Sequence, residues 1–249
     1  MSFAELFDWF DQVYIVNLPN RSDRRQETVA EFARVGVAIP NGKIRFFEAT
    51  RPTNKEEFPS IGSLGNFISQ TRVMKDALDN GFERILVCED DLHLNDFAAD
   101  SVKTVLEDLK SSDWTMAPLG YLEPTTPPSD RVGLSPWNGD TLGAQFYAVR
   151  GDGIRGFHDY LAVARSRPSG HPQGGAMFFD GAFNMVRTQV PAIRFYIATP
   201  CLAGQRSSRT DLHDLRFYDR QEPFRTIMVY LRKLRNRLWR SGRKARPGG

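Results

Sequence analysis

Short apolar runs alternate with stretches of helical period along most of this chain. Gln12 to Leu18 (QVYIVNL) is rich in β-branched and aromatic residues and stops at Pro-Asn, which predicts a buried strand. The next stretch, DRRQETVAEFARVG, predicts a helix capped by Asp23, with Val29, Phe32, Ala33 and Gly36 on one face and Gly36 as its stop. Lys43 to Ala49 predicts a second strand, and a polar stretch with Pro52 and Pro59 predicts a loop. Ser63 to Asn80 reads as a helix with Phe67, Thr71, Met74 and Leu78 on one face and Asn80-Gly81 as its end. Arg84 to Asp91 (RILVCEDD) is an apolar run that stops abruptly in three carboxylates. Phe97 to Leu109 predicts a helix, and Trp114 to Leu122 a strand.

Glu123 to Asp140 carries Pro124, Pro127, Pro128 and Pro136 and has no period. A loop that long inside a compact domain is usually functional or disordered; as a functional loop it could order over a bound ligand and exclude water. Ala144 to Arg150 predicts a strand, Gly151 to about Ala164 a helix, Ser166 to Gly175 a loop, and Ala192 to Pro200 a last strand. Strands alternating with helices predict an α/β sandwich around a mostly parallel central sheet. Ligands of such sheets bind at the carboxyl ends of the strands, so the residues after each strand carry the functional question.

Composition narrows the class. The chain has 249 residues, 41% hydrophobic and 25% charged, which excludes a disordered chain and allows a full-sized core. No stretch approaches the roughly 18 consecutive apolar residues of a membrane span. The opening MSFAELFDWFDQ has no basic n-region, so no secretory signal is expected and a cytoplasmic location is. Two cysteines, Cys88 and Cys201, exclude a disulfide framework and a four-cysteine zinc site. The net charge of +3 hides an asymmetry. From Arg225 onward there are nine Lys and Arg and no acid, while the rest holds 24 basic and 30 acidic residues. The body is mildly acidic and the tail strongly basic.

Three strand ends carry candidate chemistry. Arg21, Arg24 and Arg25 follow the first strand beside a helix start, where guanidinium forks and free N–H groups suit phosphate oxygens. The bland reading is a solvated helix start. Glu89-Asp90-Asp91 ends an apolar strand; burial penalises three adjacent carboxylates, and a hard divalent cation relieves the conflict. Residues i and i+2 of an extended chain face one side, so Glu89 and Asp91 can share a ligand. The bland reading is an exposed acidic turn. Asp180 follows Phe178-Phe179, and Asp211-Leu212-His213-Asp214 follows the last strand. Asp180 reads as a helix cap or a general base, and His213 and His93 as surface residues or ligands.

These segments resemble glycosyltransferase family 25, the lipopolysaccharide and lipooligosaccharide sugar transferases related to collagen galactosyltransferases. The likeness is carried in order by VYIVNLPNRSDRR (Val13 to Arg25), GSLGNFISQTRVMKDALDNGFERILVCEDDL (Gly62 to Leu92), LGAQFYAVRGDGIRGFHDYL (Leu142 to Leu161), FFDGAFN (Phe178 to Asn184) and TPCLAGQRSSRTDL (Thr199 to Leu212). The family often carries Gly-Cys and then Ser-His in the second segment; this chain has Gly65-Asn66 and Ser69-Gln70.

The resemblance implies a GT-A-like, Rossmann-like fold and an inverting, metal-dependent hexosyl transfer from a nucleotide sugar, a UDP-sugar above all. The acceptor it implies is a saccharide or glycolipid in surface polysaccharide or lipopolysaccharide synthesis. It places donor contacts at Asn17, Leu18, Arg21, Arg24, Glu89 and Asp90, and Mn²⁺ or Mg²⁺ at Asp91 with Glu89 and His213. Asp180 is the expected base, with Asp211 in reserve.

Two other readings stand beside it. One is a catalytically silent relative that binds a nucleotide or saccharide as a scaffold, motivated by Gln70. The other is a metal-dependent phosphoryl-transfer or nucleic-acid-binding protein, motivated by the arginines and acids. The acidic body argues against specific nucleic-acid binding. The expected division is a catalytic domain over residues 1–221 and a basic helix and tail over 222–249. In that tail Ile227, Leu231, Leu234 and Leu238 line one face among arginines. This pattern fits a helix lying peripherally on the anionic inner face of the cytoplasmic membrane, and equally one docked on the domain.

Overall fold

The computed structural model describes residues 3–206, without the side chains of residues 97–99. Asp211, His213 and the basic tail over 222–249 lie outside the described residues. The chain runs through α1 (Phe3–Trp9), β1 (Gln12–Asn17), α2 (Ser22–Arg34), β2 (Ile44–Glu48) and α3 (Ile61–Asp79). Next come β3 (Arg84–Glu89), β4 (Leu92–Leu94), a 3-10 turn at Asp96–Ser101, α4 (Val102–Ser111) and β5 (Met116–Gly120). Then follow β6 (Gly133–Pro136), β7 (Phe146–Arg150), α5 (Asp152–Arg165), α6 (Phe179–Gln189), β8 (Tyr196–Thr199) and β9 (Ala203–Gln205).

The main sheet has the order β2-β1-β3-β7-β5-β9-β4, and β6 pairs with β8 in a separate ribbon. β1 is parallel to β2 and β3, and β5 to β9; β7 is antiparallel to β3 and β5, and β4 to β9. Five of the seven strands thus share one direction, and the expected mostly parallel α/β sandwich is what forms.

Strand pleating divides the core into two layers. Val13 and Ile15 of β1, Leu86 and Cys88 of β3, and Phe146 and Ala148 of β7 pack with α1, α2 and α4 on one face. Tyr14 and Val16, Ile85 and Val87, and Tyr147 and Val149 pack with α3, α5 and α6 on the other. Ser60 and Ser63 form a reciprocal capping box that starts α3. At Gly65 a Cβ would stand 2.5 Å from the Thr50 carbonyl, so only glycine lets this helix approach the end of β2 so closely.

The departures from the sequence pattern have physical causes. The stretch expected to be loop holds β6, whose Leu134 N–H and neighbouring Arg131 are both bound by the Asp108 carboxylate of α4. That part of the segment is tied to the domain rather than left as an unanchored lid. The strand expected to be last, β8, pairs with β6 outside the main sheet, and the sheet position goes to the unforeseen β9. Asp23 does not cap α2; it pairs with Arg21, the residue at the cap position, at 2.9 Å. The buried face of α2 is Arg24, Thr28, Glu31 and Phe32 rather than the apolar stripe. Periodicity missed it because three of these four residues are polar.

Glu31 illustrates the energetics of that face. Burial alone raises its carboxyl, but His93, Arg34 and the Leu94 N–H outweigh burial and hold it down to about 2. The folded state therefore binds fewer protons than the unfolded chain between about pH 2 and the ordinary 4.5. This contribution is fully present above 4.5 and is lost as pH falls toward 2. Urea unfolding of the wild type should lose about 2–3 kcal/mol from this group between roughly pH 5 and 2, and Glu31→Gln should flatten that dependence. Parallel pH profiles for the two proteins would contradict the assignment.

Candidate active site

The alternation that builds the core also sorts the acidic turn. Glu89 continues the series Ile85 and Val87 toward the α6 face, and Asp90 continues Leu86 and Cys88 toward the α2 face. On the α2 side, Asp90 Oδ1 accepts from Arg24 Nη1 at 2.7 Å, and Oδ2 accepts from Asn17 Nδ2 at 2.8 Å. The Thr28 hydroxyl donates to the Asp90 carbonyl at 2.7 Å. Asp91 is buried; its Oδ2 accepts from Gln205 Nε2 at 3.0 Å and lies 3.5 Å from Arg24 Nη1. The turn is thus held from β1, α2 and β9 together.

On the other face, Asp180 sits in the first turn of α6 and accepts from the Gly143 N–H at 3.1 Å. One turn later, Asn184 accepts from the Thr141 N–H and donates to the Thr141 carbonyl. The i, i+4 pair grips the turn that feeds β7. Gly143 adopts φ +83°, a backbone state that favours glycine, and a Cβ there would meet Leu122 at 2.9 Å. Phe178 is the cap residue of α6 and no side chain caps it, so Asp180 is not an N-cap.

Burial and the charges of Asp91, Asp180 and Asp90 push the Glu89 carboxyl well above its ordinary value, with Arg24 opposing them. Burial likewise raises Asp180, against the N–H groups of Gly143 and Ala144. The charges of Asp91 and Asp180 thus both act on Glu89 at the carboxyl end of β3. Among the described residues no three His, Cys, Asp or Glu side chains form a group able to hold a metal ion. A hard divalent cation would offset the mutual repulsion of the Glu89 and Asp91 carboxylates, and carboxylate oxygens are the donors it prefers.

Asn17, Arg24, Glu89, Asp90 and Asp91 converge, and Asp180 joins them through Glu89. Arg24 is buried against Asp90 and Asp91, so its guanidinium serves the turn. Arg21 pairs with Asp23, and Leu18 is half-buried beyond the end of β1. Arg25 donates to Asn17 Oδ1 at 3.3 Å and stacks on Phe46 at 4.7 Å. Gln70 is fully buried and accepts from the Tyr147 hydroxyl at 2.6 Å, which gives the departing residue a packing role between α3 and β7. Thr28 and Gln205 went unassigned from sequence. Gln205 lies within the TPCLAGQ segment, but only the pairing of β4 with β9 brings it to Asp91.

No family model matches this chain. Over 129 residues, 45% of the chain, it is 26% identical to procollagen galactosyltransferase 1 of Danio rerio. It is 24% identical over 129 residues to procollagen galactosyltransferase 2 of Mus musculus. The aligned part is 21% of each of these curated relatives, so the chain spans about a fifth of their length. Among solved structures, a glycosyltransferase involved in glycosylation of the major capsid of PBCV-1 superposes with a TM-score of 0.47 at 12% identity, covering 80% of this chain and 93% of that one. Protein A197 from STIV gives 0.35 at 7% identity, over 82% and 97%. Among described residues no helix is long and apolar enough to cross a membrane. By sequence, then, the chain is similar to glycosyltransferases over less than half of its own length.

Proposed function

We propose that this chain is a glycosyltransferase of GT-A-like architecture that moves a hexose from a nucleotide sugar, UDP-linked, to a saccharide acceptor with inversion. The observation that carries the reading is the acidic turn at the end of β3, held from β1, α2 and β9, where the charges of Asp91 and Asp180 both act on Glu89. A divalent cation held by Asp91 and Glu89 would supply positive charge to the diphosphate leaving group. Asn17, Arg24 and Thr28 hold Asp90 and so fix the direction of its two acidic neighbours.

The acceptor hydroxyl attacks the anomeric carbon as the bond to the diphosphate breaks, and its proton passes to a carboxylate on the opposite face. Asp180 takes that role: burial raises its affinity for a proton, and the N–H groups of Gly143 and Ala144 fix its orientation. A place in lipopolysaccharide or other surface polysaccharide synthesis, with the basic tail on an anionic membrane, belongs to the same proposal and follows from the sequence resemblance.

Asp91→Asn should leave the fold intact, since the amide oxygen still accepts from Gln205, and should weaken Mn²⁺-dependent UDP binding by about 10–100-fold. Calorimetric titration of UDP with and without Mn²⁺ reads this directly. Equal metal-dependent affinity in the variant would remove Asp91 from the site.

A further inference from the structure

Apolar side chains beside Asp180 stand in solvent rather than in the core. Leu122 is 42% exposed, Leu142 45% and Phe178 40%. Leu122 and Leu142 are paired neighbours, and Asp180 links Phe178 to them through Gly143. Leu122 and Leu142 lie on paired segments, with the Leu122 N–H donating to the Leu142 carbonyl at 2.7 Å. The residue after Leu142 is Gly143, whose N–H binds Asp180, and Leu122 packs closely over that glycine. Phe178 lies two residues before Asp180, at the start of α6.

We propose that Leu122, Leu142 and Phe178 form the acceptor subsite, an apolar ledge that takes the C–H face of a pyranose ring and directs one of its hydroxyls to Asp180. The inference rests on the transferase reading for the role of Asp180 and adds the surface on which the saccharide acceptor would lie. A pyranose has an apolar C–H face and a rim of hydroxyls, which matches an apolar surface bordered by the carboxylates of Asp180 and Glu123. A peptide laid along the ledge would need a strand edge for its backbone. The segments here offer none at that point, because the N–H groups of Leu122, Glu123 and Leu142 are bonded across the pair to carbonyls of Leu142 and Glu123.

Saturation-transfer NMR with methyl β-galactoside and methyl β-glucoside tests the ledge without requiring turnover. Irradiating the protein's methyl and aromatic protons should mark the ring C–H protons of at least one glycoside. The signal should fall about threefold or more in Leu142→Ser and in Phe178→Ser, with Leu122→Gln as a further exposed-site variant. Thermal unfolding checks that each variant is folded. No transfer to either glycoside, or equal transfer in wild type and all three variants, would overturn the ledge. Calorimetry of wild type with UDP and Mn²⁺ separates the two ideas. Glycoside contact without UDP binding upholds the ledge and retires the transferase, whereas UDP binding without glycoside contact does the reverse.

Discussion

Replacing Arg24 with methionine is expected to destabilise the protein by about 3–5 kcal/mol, the usual consequence of removing one partner from a buried ion pair. The guanidinium lies 2.7 Å from Asp90 and 3.5 Å from Asp91, and all three residues are buried. Without it two neighbouring carboxylates remain in a poorly solvated turn, beside a Glu89 already pushed upward by their charge. Adding Asp90→Asn should restore much of the loss, because the amide leaves one charge fewer to compensate. A double-mutant cycle by urea unfolding measures the coupling. A single-variant cost below about 1 kcal/mol would mean that the turn is solvated and that Arg24 is not its counter-ion.

Asp180→Asn should lower the rate of glycosyl transfer by about 10²-fold or more while leaving UDP affinity nearly unchanged. The asparagine oxygen can still accept from Gly143, so the Thr141–Gly143 turn keeps its anchor and the loss reports proton transfer. Single-turnover rates with saturating donor and acceptor separate this from a binding defect. Near-wild-type transfer in this variant, together with loss in Asp211→Asn, would reverse the two roles.

The sequence made the sheet legible because β1, β3 and β7 are buried on both sides and read as continuous apolar runs. The abrupt step from Cys88 to Glu89 likewise marked the end of β3. Less legible was anything decided by a partner distant in the chain. The polar buried face of α2 depends on Asp90 and on His93 and Leu94, more than sixty residues away, and no local period encodes it. Arg24 looked like a phosphate arm because three arginines at a helix start suit an anion; the anion the fold supplies is its own acidic turn. Strand β6 was hidden by proline content, yet as one strand of a two-stranded ribbon it tolerates Pro136. The Gln205 contact with Asp91 depends on an antiparallel pairing across 114 residues.

The position of β7 in the sheet has a consequence for how the molecule is made. β3 and β5 are joined through β4 and α4 but are not neighbours in the sheet; β7, which comes later in the chain, lies between them and is antiparallel to both. A nascent chain that has emerged only as far as Gly120 has two open strand edges facing each other across a gap. Glu89 lacks its backbone partner at Gln145, and Gly143 and Asp180 have not yet been synthesised. The acidic cluster therefore cannot be completed until the chain has emerged past Asp180. A product truncated there carries strand edges open to aggregation, and the site is completed only after β7 has filled the gap.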